Sequence, residues 1–138
     1  MTAAPRTLLS ELQKGHEFPS TPFAVTAEYV ESYLRATRDE NGVYGETKLA
    51  PPLAVAARAL GALLELVELP GGSLHTGQEM EVLRGVPQDA TLELCGSVAQ
   101  RSERAEMVIA ALEFEVRDAG EAVLRGRTTV MMPQDGAA

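Results

Sequence analysis

The chain has 138 residues, 45% hydrophobic and 23% charged, with 12 basic against 20 acidic side chains and a formal net charge of -8. That length suits one domain whose core needs no metal or disulfide staple. The acidic balance argues against gripping nucleic-acid phosphates or docking on an anionic membrane.

Residues 1–16 are polar with scattered leucines (Leu8, Leu9, Leu12) and read as an N-terminal arm or short helix. A domain is expected over 17–133, with a short tail at 134–138. Pro19 and Pro22 forbid a regular central strand, so residues 17–25 read as an edge strand or an extended entry. Thr26 is placed to N-cap a helix running to about Arg38, with Glu31 and Arg35 four apart on its outer side. Asp39 to Gly42 is turn chemistry, and 43–50 reads as an irregular connection.

Pro51 and Pro52 open a second helix. Leu53, Ala57, Leu60, Leu64 and Val67 recur at helical spacing, and alanines fill most of the remaining circumference. A helix apolar nearly all round is a buried helix. Arg58 and Glu65 interrupt this stretch, so no membrane span is expected.

Four strand-like runs follow, at 74–84, 91–100, 107–117 and 123–132, each alternating apolar and polar residues. His75 falls by simple alternation on the face of Glu79 and Glu81. The start of the third run, Met107 to Leu112, is apolar on both faces and is expected to be covered on both. The whole is an α+β chain, an antiparallel sheet of about five strands wrapped around one long buried helix.

Several stretches carry a resemblance. The run from Tyr33 to Tyr44, holding Asp39, Asn41 and Gly42, resembles the segment Y-x-x-A-x-x-D-x-N-P-h-H of MaoC-like dehydratases, where h is apolar. Ala50-Pro51-Pro52 resembles the A-P-P-x start of their central helix. Leu74-His75-Thr76-Gly77-Gln78-Glu79 resembles a strand of the subgroup called FAS1-like dehydratase domains, and the run from Arg84 to Leu92 is a looser match to R-P-h-x-x-G-D-T-L. The resemblance spans about residues 18–132 and implies the hot-dog fold.

It also implies a substrate: a 3-hydroxyacyl or enoyl thioester on coenzyme A or an acyl carrier protein. In that family the Asp and His of the first segment form the catalytic dyad of a dehydratase or hydratase. Here Asp39 keeps its place, Gly42 replaces the proline, and Tyr44 stands where the histidine belongs. A phenol titrating near 10 is a poor base at neutral pH, where histidine serves well. Asp39, Tyr44 and His75 are therefore the candidate catalytic residues, and Asn41, Gly42, Pro52 and Gly77 the candidate substrate-binding ones. Asp39 reads equally as a turn residue. His75 reads first as a hydrogen-bonded strand residue, and His16 as solvated.

The one cysteine, Cys95, permits no internal disulfide and reads as a small strand residue in a reduced, cytoplasmic protein. No signal peptide, metal site or cofactor is expected. Three functions stay open. The first is a non-catalytic subunit pairing with a catalytic MaoC-like chain. The second is a self-sufficient dehydratase, or a thioesterase using Glu65 or Asp39. The third is a homodimer that binds acyl thioesters or apolar ligands without turnover.

Overall fold

The computed structural model describes residues 6–134. The expected tail at 134–138 therefore lies, from 135 on, outside the described residues, as does the start of the N-terminal arm.

In chain order the strands are β1 (Thr7–Leu8), β2 (Thr21–Ala24), β3 (Leu49–Ala50), β4 (Val67–Glu68), β5 (Leu74–Val82), β6 (Val86–Pro87), β7 (Thr91–Arg104), β8 (Met107–Asp118) and β9 (Glu121–Pro133). The α-helices are α1 (Ala27–Thr37), α2 (Val43–Thr47) and α3 (Pro52–Leu64), and one 3-10 turn covers Leu9–Glu11 in the N-terminal arm. Five strands form one antiparallel sheet in the order β2-β7-β8-β9-β5. The two-residue strands pair off it, β1 with β4 and β3 with β6.

The helix-facing side of the sheet is built from every second residue: Leu92, Leu94 and Val98 on β7, Val108, Leu112 and Val116 on β8, and Leu124, Val130 and Met132 on β9. Alternation of this kind buries one face and wets the other. The wet face carries rows of paired charges, Glu113 with Arg127 at 2.6 Å and Glu115 with Arg117 at 2.9 Å and Arg125 at 3.3 Å. Hydrogen bonding by Arg117 holds the Glu115 carboxyl below the usual glutamate range against a smaller opposing effect of burial. Cys95 sits half-buried in β7.

Helix α1 begins where expected, with the Thr26 hydroxyl accepting from the Tyr29 amide at 3.0 Å. The N-terminal arm is tied in rather than loose. Leu9 is fully buried in the core, and the Arg101 guanidinium donates to the Ser10 carbonyl at 2.9 Å. The apolar start of β8 is only partly covered on its outer side, where Ala111 is buried and Met107 and Ile109 are half-buried.

Three expectations need correction. Residues 43–50 are not irregular: they hold α2 and β3. The buried stripe of α3 is Ala54, Val55, Ala56, Ala59, Ala62 and Leu63, whereas Leu53 is 59% exposed and Ala57 lies in solvent. The helix ends at Leu64, so Val67 reaches the core from β4 instead. An all-apolar helix has no unique inward face, and α3 turns its smallest residues to the sheet, where small side chains allow close approach.

The third correction concerns β5. Its pairing with β9 slips between His75 and Gly77, with Thr76 as the extra residue. His75 therefore stands opposite Val130, on the helix-facing side, and not with Glu79 and Glu81. A bulge inverts the alternation beyond it.

Candidate ligand site

The Asp39-to-Tyr44 segment links α1 to α2. Arg38 adopts a left-handed conformation that ends α1. The Asp39 carboxylate then accepts from the Asn41 amide at 3.0 Å, and the Asn41 side-chain oxygen accepts from the Val43 amide at 3.0 Å. These are successive Asx turns, which explain both residues locally. Both are exposed, as is Gly42, which caps α2.

Tyr44 is half-buried on α2. Its segment is pinned from below by Gln88, whose side-chain amide donates to the carbonyls of Tyr44 and Leu49, each at 3.1 Å. Under it lies a cavity of about 210 Å³ between α2, the start of α3 and the far end of β5. Tyr44, Leu49, Pro52 and Val55 form one side, and Val82, Val86 and Leu124 the other. Its inner end is core: Val55, Val123 and Leu124 are at most 1% exposed. The rim is open, with Val43 39% and Val82 49% exposed. The rim also carries Arg84, paired with Glu121. The lining includes no histidine, cysteine, aspartate or glutamate; its titratable groups are Tyr44 and Arg84.

Of the candidate residues, the structure brings Tyr44 and Pro52 to this cavity, with Asp39, Asn41 and Gly42 in the turns leading to it. His75 and Gly77 lie elsewhere. Seven residues of extended chain separate His75 from Val82, about 20 Å at the usual rise. The His75 ring bonds locally instead, to the Gly77 carbonyl at 3.0 Å and the Gln78 side-chain oxygen at 3.1 Å. A Cβ added at Gly77 would meet Thr129 at an ordinary 3.5 Å, so nothing crowds that glycine. Glu65, the thioesterase candidate, caps the opposite end of α3 from Pro52. His16 is exposed, its ring edge-on to Phe18 at 5.1 Å. Among the described residues no cluster of histidine, cysteine and carboxylate groups has metal-binding geometry, and no helix is long and apolar enough to cross a membrane.

Leu49, Val55, Arg84 and Gln88 were not singled out as site residues by sequence. Only Arg84 carried a signal, as the first residue of the looser motif.

A five-stranded antiparallel sheet in this order, curled over one central helix, decides the architecture. This is the hot-dog fold. No family model and no curated protein matches the sequence. Solved structures do match. The monoamine oxidase regulatory protein from Archaeoglobus fulgidus superposes with a TM-score of 0.78 at 17% identity, over 96% of this chain and 97% of that one. The MaoC-like dehydratase from Rhodospirillum rubrum gives 0.75 at 18% identity, over 90% and 94%. The HadBC (3R-hydroxyacyl-ACP dehydratase) complex from Mycobacterium tuberculosis gives 0.63 at 17%, over 84% and 93%. The hot-dog structures similar to this chain thus include the dehydratases that its motifs resemble.

Proposed function

We propose that this chain is a hot-dog subunit that binds an acyl thioester, on coenzyme A or a carrier protein, and leaves the hydration chemistry to a partner. One observation carries the reading: the cavity beneath the Asp39-to-Tyr44 segment is walled by apolar side chains and holds no group that titrates near neutrality. Such a pocket can seat an acyl chain, while Tyr44 offers the thioester a hydrogen-bond donor rather than a base.

The sheet edges support the paired state. One edge, formed by residues 15–24 along β7, is interrupted by Pro19 and Pro22. The other, β5, contains neither proline nor lysine, has no strand on its outer side among the described residues, and leaves Leu74 58% and Met80 37% exposed. The bulge at Thr76 and the charges of Glu79 and Glu81 blunt part of this edge, and the run from Gly77 to Val82 still offers a template for another strand. On α3, Leu53 is the most exposed large apolar residue described. A second hot-dog domain, either a copy of this chain or a catalytic MaoC-like chain, covers both. HadBC, by its name a complex, is a precedent for the second arrangement.

The test is an assay of the purified chain with crotonyl-CoA. Binding without hydration is expected, and Tyr44→His should confer slow hydration that Asp39→Ala removes. Turnover by the unmodified chain that Asp39→Ala abolishes would overturn the non-catalytic reading in favour of a self-sufficient enzyme.

A further inference from the structure

We propose that the acyl group this chain accepts is short, about four to eight carbons; the inference rests on the acyl-thioester reading above and adds the substrate class. The cavity is open at its rim and backed by the core. Val55, Val123 and Leu124 line it and are at most 1% exposed, and close-packed core residues yield little.

Its capacity follows from its size. An apolar cavity of about 150 Å³ holds a six-carbon ring, so each carbon takes about 25 Å³. The 210 Å³ here then admits about eight carbons. A hexadecanoyl chain needs roughly twice that space on the same scale.

The wall also excludes polar tails. The Thr47 hydroxyl donates to the Val43 carbonyl at 2.7 Å and accepts from the Leu49 amide at 3.3 Å, so it is already engaged. Tyr44 is the other hydroxyl in the lining, and it lies on the side of α2 near the rim. A hydroxyl or carboxylate carried to the inner end would be desolvated without a partner.

Leu49 is the lining side chain whose truncation would add space. It packs against Gly85, where even a Cβ would stand 3.1 Å from its Cδ1. It is half-buried rather than core, so the wall it forms can be cut back without opening the centre of the fold.

Isothermal titration of the full chain, in whatever assembly it forms, against butanoyl-, hexanoyl-, octanoyl-, dodecanoyl- and hexadecanoyl-CoA tests this, with coenzyme A alone as reference. Affinity should rise about fourfold per buried methylene up to hexanoyl or octanoyl. Dodecanoyl-CoA should then bind at least tenfold more weakly than the best chain. Leu49→Ala should lengthen the best chain by about three carbons, the number it removes. Val82→Trp, at an exposed rim position that the fold tolerates, should abolish the dependence on acyl length. Hexadecanoyl-CoA binding as tightly as hexanoyl-CoA would overturn the length limit and leave the thioester reading standing. No acyl-CoA binding more tightly than coenzyme A would overturn both.

Discussion

Gly126→Ala is the substitution whose cost the structure sets most directly. A Cβ at Gly126 would lie 2.2, 2.5 and 2.9 Å from three ring carbons of Phe114. Carbon atoms prefer about 3.5–4.0 Å. The ring must therefore move by more than 1 Å, and it has little freedom to do so. Phe114 is 4% exposed, and the Gly96 that faces it from β7 is itself hemmed by Leu63 of α3.

Two effects compete. Replacing a strand glycine stabilises by about 0.4–1 kcal/mol through the unfolded chain. Overpacking a core costs about 1–3 kcal/mol. With three ring atoms in collision the second wins, and a net loss of about 1–2 kcal/mol is expected. Phe114→Leu shortens the side chain and removes the collision, so Gly126→Ala in that background should be neutral or slightly stabilising. Urea unfolding of the four proteins, read as midpoint shifts at constant slope, gives the coupling energy. Equal costs in the two backgrounds would refute the argument.

Two further predictions concern the sheet. Leu74→Glu with Met80→Glu places charge along the bare β5 edge and should convert the assembled protein to a monomer in light scattering. Both residues are exposed in the single chain, so the substitutions should cost its own fold little, and a fall in melting temperature would report the lost partner. Glu115→Gln should matter only where the carboxylate is charged. Its folded-state pKa is lowered, so its stabilisation is present above the ordinary glutamate value and is lost as pH falls through the lowered one. The pair is partly solvated, so the difference from the unmodified protein should be about 0.5 kcal/mol at pH 7, closing in acid; a difference that grows on acidification would contradict this sign.

The sequence revealed the sheet more fully than the site, for local reasons. Leu112 to Val116 on β8 alternates cleanly, and Thr26 is a cap with an obvious helix behind it, so both were legible. A turn between 100 and 107 was legible, but not that β7 runs on to Arg104, because the tight turn rests on Ala105 and Glu106 in left-handed conformations (φ 51° and 68°) that neither residue type announces. The bulge at Thr76 was equally silent, and it moved His75 to the other face. Tyr44 could be found because it fills a motif position. Val55 and Leu49 could not, because what makes them lining residues is the empty space beside them, set by elements distant in the chain.

The unequal edges of the sheet also limit how far the protein can grow. A β-sheet open on both sides can add strands without end, which is the route to fibres. Here Pro19 and Pro22 stop one side, leaving β5 as the continuous margin. In the paired state proposed above, a unit with one such margin has a valence of one: it joins a single neighbour and the assembly closes. The same asymmetry leaves any two candidate mates, a copy of this chain or a different hot-dog chain, competing for the same strand. On that proposal, their relative concentrations would set which complex forms.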